Sequence, residues 1–279
     1  MEKITVITPK HNLFSLGLKD LYAYRDLIFM FVKRDFFAIY KQSILGPIWF
    51  LIQPLFSTIV FTVIFGQIAK ISTEGIPHVL FYMSGVICWN YFSSSLTKTS
   101  ETFIANQGIF SKVYFPRLTI PISVVMTNLI TFAVQFGLFM AFYLYYAFST
   151  NLLQPVNTTL LLVPLLLLQM ILLSIGFGIL IASMTTKYRD LNYLVGFGMQ
   201  LWMYATPVVY PISIIPERFH WLVHLNPMAN VIENFRYAFF SVGNFTLQDF
   251  GVSFGVSLCI FFFGLILFNR VEKSVADTI

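Results

Sequence analysis

The fold of this chain is decided by residues 188–240, which read YRDLNYLVGFGMQLWMYATPVVYPISIIPERFHWLVHLNPMANVIENFRYAFF. The first half of this stretch is an apolar segment, Leu191 to Val209. The second half, Pro211 to Phe240, is also apolar and aromatic, but prolines and charged residues interrupt it. A membrane-spanning helix needs about 20 mostly apolar residues, and no uninterrupted window here meets that requirement. We predict a hairpin of two short helices that enters one face of a membrane and returns. An interfacial loop is the alternative.

The composition indicates an integral membrane protein. Of the 279 residues, 57% are hydrophobic and only 10% are charged, and apolar runs recur along the whole length. Cys88 and Cys259 both lie inside apolar segments and give no indication of a disulfide framework. The first forty residues hold no apolar core behind a short basic start, so we expect no cleavable signal peptide. The net charge of +5 is better explained by membrane topology than by nucleic-acid binding.

Six apolar segments are predicted as membrane spans. They cover residues 45–66, 79–96, 118–148, 158–184, 191–210 and 250–268. If the N-terminus is cytoplasmic, only Lys70, Arg218 and Arg236 of the 17 lysines and arginines lie on the outer side. Positive residues concentrate on the cytoplasmic side of membrane proteins, so both termini are predicted to be cytoplasmic. Both ends of segment 211–240 are then outside, which makes this segment an outer-face hairpin.

The predicted fold class is therefore an all-α integral membrane protein with two regions. Residues 1–44 form a cytoplasmic N-terminus, and residues 45–279 form a six-span transmembrane domain. The N-terminal region begins with a polar segment, Met1 to Gly17. A helix from Asp20 to Lys41 follows, whose apolar side chains share one face, as expected of a helix that lies in the headgroup plane. That face carries Leu21, Ile28, Val32, Phe36 and Ile39.

The cytoplasmic loop between spans two and three, residues 98–117, is the next informative segment. We predict a short helix here that exposes Ile109, Phe110 and Val113 to the cytosol. Exposed apolar side chains on a loop are typical of a docking surface. The alternative is a loop helix that lies on the bilayer.

Several motifs resemble those of one family. Asn106 to Arg117, followed by Pro121, is similar to the cytoplasmic coupling segment of permeases of the ATP-binding-cassette polysaccharide exporters. The other matching stretches are Tyr40 to Trp49 with Gln53-Pro54-Leu55, Tyr188 to Leu191, Thr206-Pro207 with Tyr210-Pro211, and Leu225-Asn226-Pro227. These motifs occur in the family's order and spacing from about Asp20 onward. Each motif alone is weak, but the ordered set is specific.

The resemblance implies the partners and the coupling residues. It implies a homodimer, two copies of a separate nucleotide-binding ATPase, a lipid-linked polysaccharide substrate and contact with membrane lipid. ATP and Mg would then be bound by the ATPase, and no cofactor by this chain. The residues carried over to ATPase coupling are Asn106, Gly108, Ile109, Phe110, Lys112, Val113, Phe115 and Arg117.

The residues themselves agree with a transport subunit that is driven by another protein. The sequence has no Gly-x-x-x-x-Gly-Lys-Ser/Thr loop to hold ATP phosphates. The predicted spans have almost no ionisable residues, unlike those of a proton- or sodium-coupled transporter. They have instead two stripes of aromatic and amide side chains, which suit sugar rings. These predicted channel-lining residues are Trp49, Gln53 and Phe56 in the first span, and Tyr193, Phe197, Gln200 and Tyr204 in the fifth. The alternative is helix packing with interfacial anchoring.

The outer hairpin is predicted to act as a gate at the exit. Asn226-Pro227 breaks it, because proline fits the first turn of a helix and disrupts the helix that would precede it. We expect its charged side chains near water, with Glu233 and Arg236 spaced for a local ion pair. The predicted gate residues are Glu217, Arg218, Phe219, Asn226, Pro227, Glu233 and Arg236. His220 and His224 lack a confidently placed third ligand, so no metal site is expected.

These features together predict the membrane-spanning half of an ATP-driven exporter in a bacterial inner (cytoplasmic) membrane. Its cargo would be a lipid-linked polysaccharide, with O-antigen as the first choice. A permease of the same fold that exports teichoic acid, capsule, a drug or a small lipid is the alternative. A membrane glycosyltransferase is a third class, but the loops are short for a catalytic site. The chain itself is not expected to be an enzyme.

Overall fold

The computed structural model describes residues 18–276, apart from 42–43, 111, 151–157, 187, 189 and 244. The predicted polar segment 1–17 and Arg189 of the quoted motif lie outside the described residues. Within the described part, every regular element is helical. The α-helices are α1 (Leu18–Ala23), α2 (Arg25–Lys41), α3 (Trp49–Phe61), α4 (His78–Ser100), α5 (Thr102–Ala105), α6 (Gln107–Phe110), α7 (Thr119–Thr150), α8 (Leu162–Thr185), α9 (Leu191–Tyr204), α10 (His220–Leu225), α11 (Pro227–Phe240) and α12 (Leu247–Ala276).

Helix α3 is extended at both ends. A 3₁₀ turn, Gly46–Ile48, leads into it, and a π-helical segment, Thr62–Ile68, continues it. Further 3₁₀ turns occupy Thr158–Leu161, Ile212–Ile214 and Glu217–Phe219. Each of the six predicted spans therefore contains a helix, and the all-α class is confirmed.

Four helical stretches of the described chain are long and apolar enough to cross a membrane. They are Gly46–Ile68, Thr119–Ser149, Thr159–Thr185 and Leu247–Val271. Helix α4 has 23 residues but carries many serines and threonines. Helix α9 has only 14 residues and so covers about 21 Å of a hydrocarbon core that is about 30 Å thick. The count of six spans thus stays a prediction.

The fifth predicted span is shorter as a helix than we expected. The prediction extended it to Tyr210, whereas α9 ends at Tyr204. Thr206 precedes Pro207, and the residue before a proline is disfavoured in the helical conformation. The sequence therefore contained the signal for this earlier end.

The core is built around α4, which packs on α7, α8 and α11. Most of α4 is buried, including Tyr82 and Phe92. Helix α8 also packs on α12, where a Cβ on Gly264 would collide with the carbonyl oxygen of Gly176. Glycine at this position lets the two helix backbones approach closely.

The amphipathic helix α2 packs on α7. Leu21 and Ile28, both on the predicted apolar face, are buried. Phe29, Met30 and Phe37 are exposed and give this region a second apolar surface. A helix with apolar side chains on both its protein-facing and outer surfaces is suited to the membrane interface, but its position there stays a prediction.

Candidate functional site

The two predicted channel-lining stripes lie on the surface of the chain. All seven of their side chains are exposed, and Tyr193 is 86% exposed. Large exposed aromatic side chains on apolar helices need a partner, which is lipid, another protein chain or a ligand. Helix packing within this chain therefore does not account for them, whereas interfacial anchoring, the other part of the alternative, is compatible with their exposure. Whether the two stripes face one pathway stays a prediction.

The stripe on α3 lines an apolar surface groove of about 590 Å³. Its lining residues are Leu45, Trp49, Ile52, Gln53, Phe56 and Ser57. The predicted residues Trp49, Gln53 and Phe56 are thus brought together. We call this feature the α3 groove.

A polar cleft of about 130 Å³ lies between α3, α4 and α7. Its lining residues are Phe50, Gln53, Asn90, Tyr91, Ser94, Lys98, Asn128, Thr131, Phe132 and Gln135. Apart from Gln53, sequence reasoning did not identify these residues as a site. A signal was available, because Asn90, Ser94 and Lys98 are four residues apart and share one face of a helix. We call this feature the polar cleft.

The outer hairpin has the helix–break–helix form that the prolines predict. A 3₁₀ turn and α10 precede Asn226, and α11 begins at Pro227. The Asn226 side chain ties this break to the end of α9. Its Oδ1 accepts from Trp202 Nε1 at 3.1 Å and from the Met228 backbone N–H at 3.1 Å, while its Nδ2 donates to Thr206 Oγ1 at 2.8 Å. The hairpin is therefore anchored to the helix that carries the second aromatic stripe.

The prediction that the charged side chains of the second hairpin helix stay near water is wrong for Arg236, which is buried. Nearly all of α11 is buried against α4, α8 and α12. Phe235 and Phe239 pack against Phe139 of α7 in a tilted and an edge-to-face arrangement, with ring centroids 5.6 and 5.0 Å away. Of the charged residues of α11, Arg236 is accommodated inside the protein and Glu233 is half-buried.

The position of Arg236 differs most from the prediction, because this residue is only 3% exposed. Its Nη2 donates to the Val208 carbonyl oxygen at 2.8 Å, and its guanidinium carbon lies 3.7 Å from the Phe81 ring centroid. Its Nε is 3.4 Å from Ser84 Oγ. These contacts connect α11 to α4 and to the segment after α9. The backbone carbonyl and the ring face take the place of water around the cation.

The other charged hairpin residues behave differently. Glu217 and Arg218 are exposed, as predicted, and so is Phe219. Glu233 is half-buried. The expected Glu233–Arg236 ion pair is not formed, because the Arg236 guanidinium points to Val208 and Phe81 instead.

The coupling segment is folded differently from the prediction. Ile109 and Phe110 are half-buried, and the Phe110 ring stacks on Phe115 at 5.5 Å. Phe115 is buried and lies 5.7 Å from Phe31 of α2. Arg117 lies over the Phe110 ring at 5.4 Å. These rings therefore hold the segment against α2, and Phe110 presents less apolar surface than the prediction gave it.

The surface of the coupling segment consists of other residues. Val113 is 59% and Tyr114 is 70% exposed. Gly108 and Lys112 are also exposed, while Asn106 is half-buried and donates to the Thr102 carbonyl oxygen at 3.0 Å. Ile104 of α5 is exposed as well. Of the three predicted apolar docking residues, Val113 is exposed, whereas Ile109 and Phe110 are half-buried.

The apolar helices, the exposed aromatic stripes and the polar cleft at α3 define a multi-pass membrane protein with features suited to transport. Comparison with known sequences gives the family. Residues 26–240 match the ABC-2 type transporter family, and the chain belongs to it.

Named relatives cover most of the chain. The O-antigen export system permease protein RfbA of Klebsiella pneumoniae is 28% identical over 252 residues, which is 90% of this chain and 94% of the relative. The protein of the same name from Myxococcus xanthus is 28% identical over 226 residues, 80% of this chain and 84% of the relative. The polysialic acid transport protein KpsM of Escherichia coli is 25% identical over 242 residues, 83% and 88% respectively.

Proposed function

We propose that this chain is the membrane-spanning subunit of an ATP-driven exporter of a lipid-linked polysaccharide. The observation that carries the proposal is its similarity, over nine-tenths of its length, to a protein named as an O-antigen export permease. The exposed aromatic stripes on α3 and α9 support it, because aromatic faces stack on sugar rings. O-antigen is the proposed cargo. Capsular polysaccharide is the second candidate, which the similarity to a polysialic acid transport protein favours.

The finer architecture belongs to this proposal. We take α4 and α9 as the second and fifth of six spans, with both termini cytoplasmic and the hairpin on the outer side of a bacterial inner membrane. Two copies of the chain would form the pathway, with Trp49, Phe197 and Tyr204 turned towards it. The tie between Asn226 and α9 supports a gate role for the hairpin, because movement of α9 would be transmitted to it.

Two copies of a nucleotide-binding ATPase are proposed to dock on the coupling segment, with ATP and Mg on the ATPase. The exposed side chains of Ile104, Val113 and Tyr114 supply the apolar part of the surface. Phe110, by contrast, acts from within by holding the segment in shape. The proposal thus distinguishes residues that contact the ATPase from residues that stabilise the coupling segment, a distinction that the sequence alone did not provide.

The test uses the double variant Val113→Asp, Tyr114→Asp, expressed with its ATPase. Both side chains are exposed, so the membrane domain should keep its melting temperature, while copurification of the ATPase and glycan export should be lost. The matched control is Leu247→Asp, which also places an acid at an exposed apolar position, but in the first turn of α12. Normal copurification and export by the double variant would refute the docking role.

A further inference from the structure

The connection between α9 and the hairpin, residues 205–215, is held in place by side chains of α11. The Nη2 of Arg236 donates to the Val208 carbonyl oxygen at 2.8 Å. One turn earlier on the same helix, the Glu233 carboxylate accepts a hydrogen bond from the Ile212 backbone N–H. Together with the tie at the hairpin break, these contacts make the connection and α11 a single unit.

A further contact reaches this connection from a different part of the chain. The loop between α3 and α4, residues 69–77, carries Glu74, and Ser213 Oγ donates to Glu74 Oε1 at 2.5 Å. Short hydroxyl–carboxylate bonds of this kind are stronger than bonds between neutral groups. Glu74 is half-buried and Ser213 is exposed. The contact joins two segments that are both predicted to lie on the outer side.

The backbone of Glu74 has a left-handed conformation, with φ of 56°. Residues other than glycine rarely adopt it, because the Cβ atom is crowded there. The loop fixes this conformation: the Glu74 backbone N–H donates to Ser72 Oγ at 3.2 Å, and the buried Thr73 Oγ1 donates to the carbonyl oxygen of buried Ile76 at 2.7 Å. Enforced conformations of this kind concentrate at functional and switch regions.

The loop that carries Glu74 is joined directly to the outer end of α3. The Ile71 backbone N–H donates to the carbonyl oxygen of Phe65, which lies in the π-helical segment that continues α3. A change in the tilt of α3 would therefore move Glu74 relative to Ser213. Since α3 carries one aromatic stripe and α9 the other, the contact links the outer ends of both stripe-bearing helices.

The charges around the contact favour its closed form. The buried Arg236 attracts the carboxylates of both Glu233 and Glu74. The two carboxylates repel each other, and His224 on α10 attracts Glu233 when it is protonated. Glu74 is thus drawn towards the cation that α11 carries, in addition to its hydrogen bond with Ser213.

We propose that Glu74 is a positioning residue that keeps the hairpin closed over the outer end of the pathway, and that the Glu74–Ser213 contact opens each time a glycan leaves. This inference rests on the proposed function and specifies which contact of the gate must open. While the contact is intact, the outer ends of α3 and α9 cannot separate, because each is tied to one side of it.

The first experiment locks this contact in cells that express the chain with its ATPase. Glu74→Cys and Ser213→Cys are combined in a Cys259→Ser background, which removes an exposed thiol and leaves the buried Cys88. A short bifunctional methanethiosulfonate then takes the place of the Glu74 side chain. Glycan export should fall at least in proportion to the fraction of chains linked, and a reducing agent should restore it. Copurification of the ATPase should not change.

The matched control is the pair Ser72→Cys, Glu74→Cys, in which the same reagent links two positions of one loop and should leave export as it was before linking. Mass spectrometry shows whether the link lies within one chain. Normal export by fully linked Glu74→Cys, Ser213→Cys would overturn the inference. So would failure of this pair to link although each cysteine is labelled, or loss of its export before linking. Absence of export by the wild type would instead refute the proposed function.

The second experiment is independent of the cargo, because it measures amide hydrogen exchange in the purified complex. Glu74→Ala should make the amides of residues 212–215 exchange about two- to tenfold faster, since the turn loses a hydrogen bond that holds it. Lys70→Ala is the matched control: Lys70 is exposed in the same loop and also has a positive φ, of 52°. Equal exchange in the two variants would overturn the positioning role of Glu74.

Discussion

Replacement of Arg236 should loosen the contact between the outer hairpin and the rest of the bundle. The guanidinium donates to the Val208 carbonyl at 2.8 Å and lies 3.7 Å from the centre of the Phe81 ring. Arg236→Met keeps most of the side-chain volume and removes the charge and the donors. Arg236→Ala removes the volume as well. The pair of variants therefore separates polar contacts from packing.

The magnitudes follow from these contacts. A hydrogen bond to a charged group contributes about 1.5–3 kcal/mol, and a desolvated cation–π contact contributes about 2 kcal/mol. Part of this is offset, because the methionine variant no longer buries a charge. We expect a net loss of about 1–3 kcal/mol for Arg236→Met and, with a cavity added, about 3–5 kcal/mol for Arg236→Ala.

Thermal unfolding of the purified chain in detergent measures these losses. At about 2–4 °C per kcal/mol, Arg236→Met should melt about 2–12 °C lower than the wild type. Arg218→Met is the matched control, because Arg218 is exposed on the same hairpin and should change the melting temperature by no more than about 2 °C. A melting temperature for Arg236→Met equal to that of Arg218→Met, or higher than that of the wild type, would refute the role assigned to these contacts.

Three further predictions concern α4, the hairpin break and the pathway. Gly85→Ala should lower the melting temperature, because a Cβ there would lie 2.7 Å from a backbone carbonyl oxygen, whereas Gly251→Ala, which meets nothing within 4 Å, should not. Asn226→Ala should cost about 1–3 kcal/mol of unfolding free energy, because the partly buried donors Trp202 Nε1 and Met228 N–H lose their acceptor, and an unchanged melting temperature would contradict its anchoring role. Phe197→Ala or Tyr204→Ala should reduce surface glycan at unchanged expression, as measured by immunoblot; normal export by both would argue against the pathway.

The hairpin shows what sequence alone could provide and where it failed. The break at Asn226-Pro227 was predictable, because proline chemistry is local. The burial of α11 was not, since it depends on the aromatic residues of α7 against which Phe235 and Phe239 pack. For the same reason Arg236 was predicted near water: its carbonyl partner is 28 residues away in sequence.

The coupling segment and the polar cleft likewise combine features that the sequence could predict with features that depend on the packing of distant residues. An exposed Val113 was predicted correctly. Phe110 was wrongly assigned to the surface, because the sequence does not show that its partner Phe115, in the loop before α7, packs on Phe31 of α2. The cleft needed the relative placement of three helices. The periodic polar positions on α4 could have indicated a polar face, but not that Asn128 of α7 lies opposite Lys98.

Within one copy of the chain, helix α3 is held by few contacts, since only 11% of the most apolar window of Gly46–Ile68 is buried, against 56% for Thr159–Thr185, which contains α8. In water, so weakly packed an element would exchange its amide hydrogens through local unfolding. Local unfolding is strongly unfavourable in hydrocarbon, because backbone groups must stay hydrogen-bonded there. The motions left to α3 are therefore tilting and sliding of the intact helix, and bending at Pro54, which lies inside it. Slow amide exchange along α3 combined with large angular motion is the dynamic signature that this packing dictates.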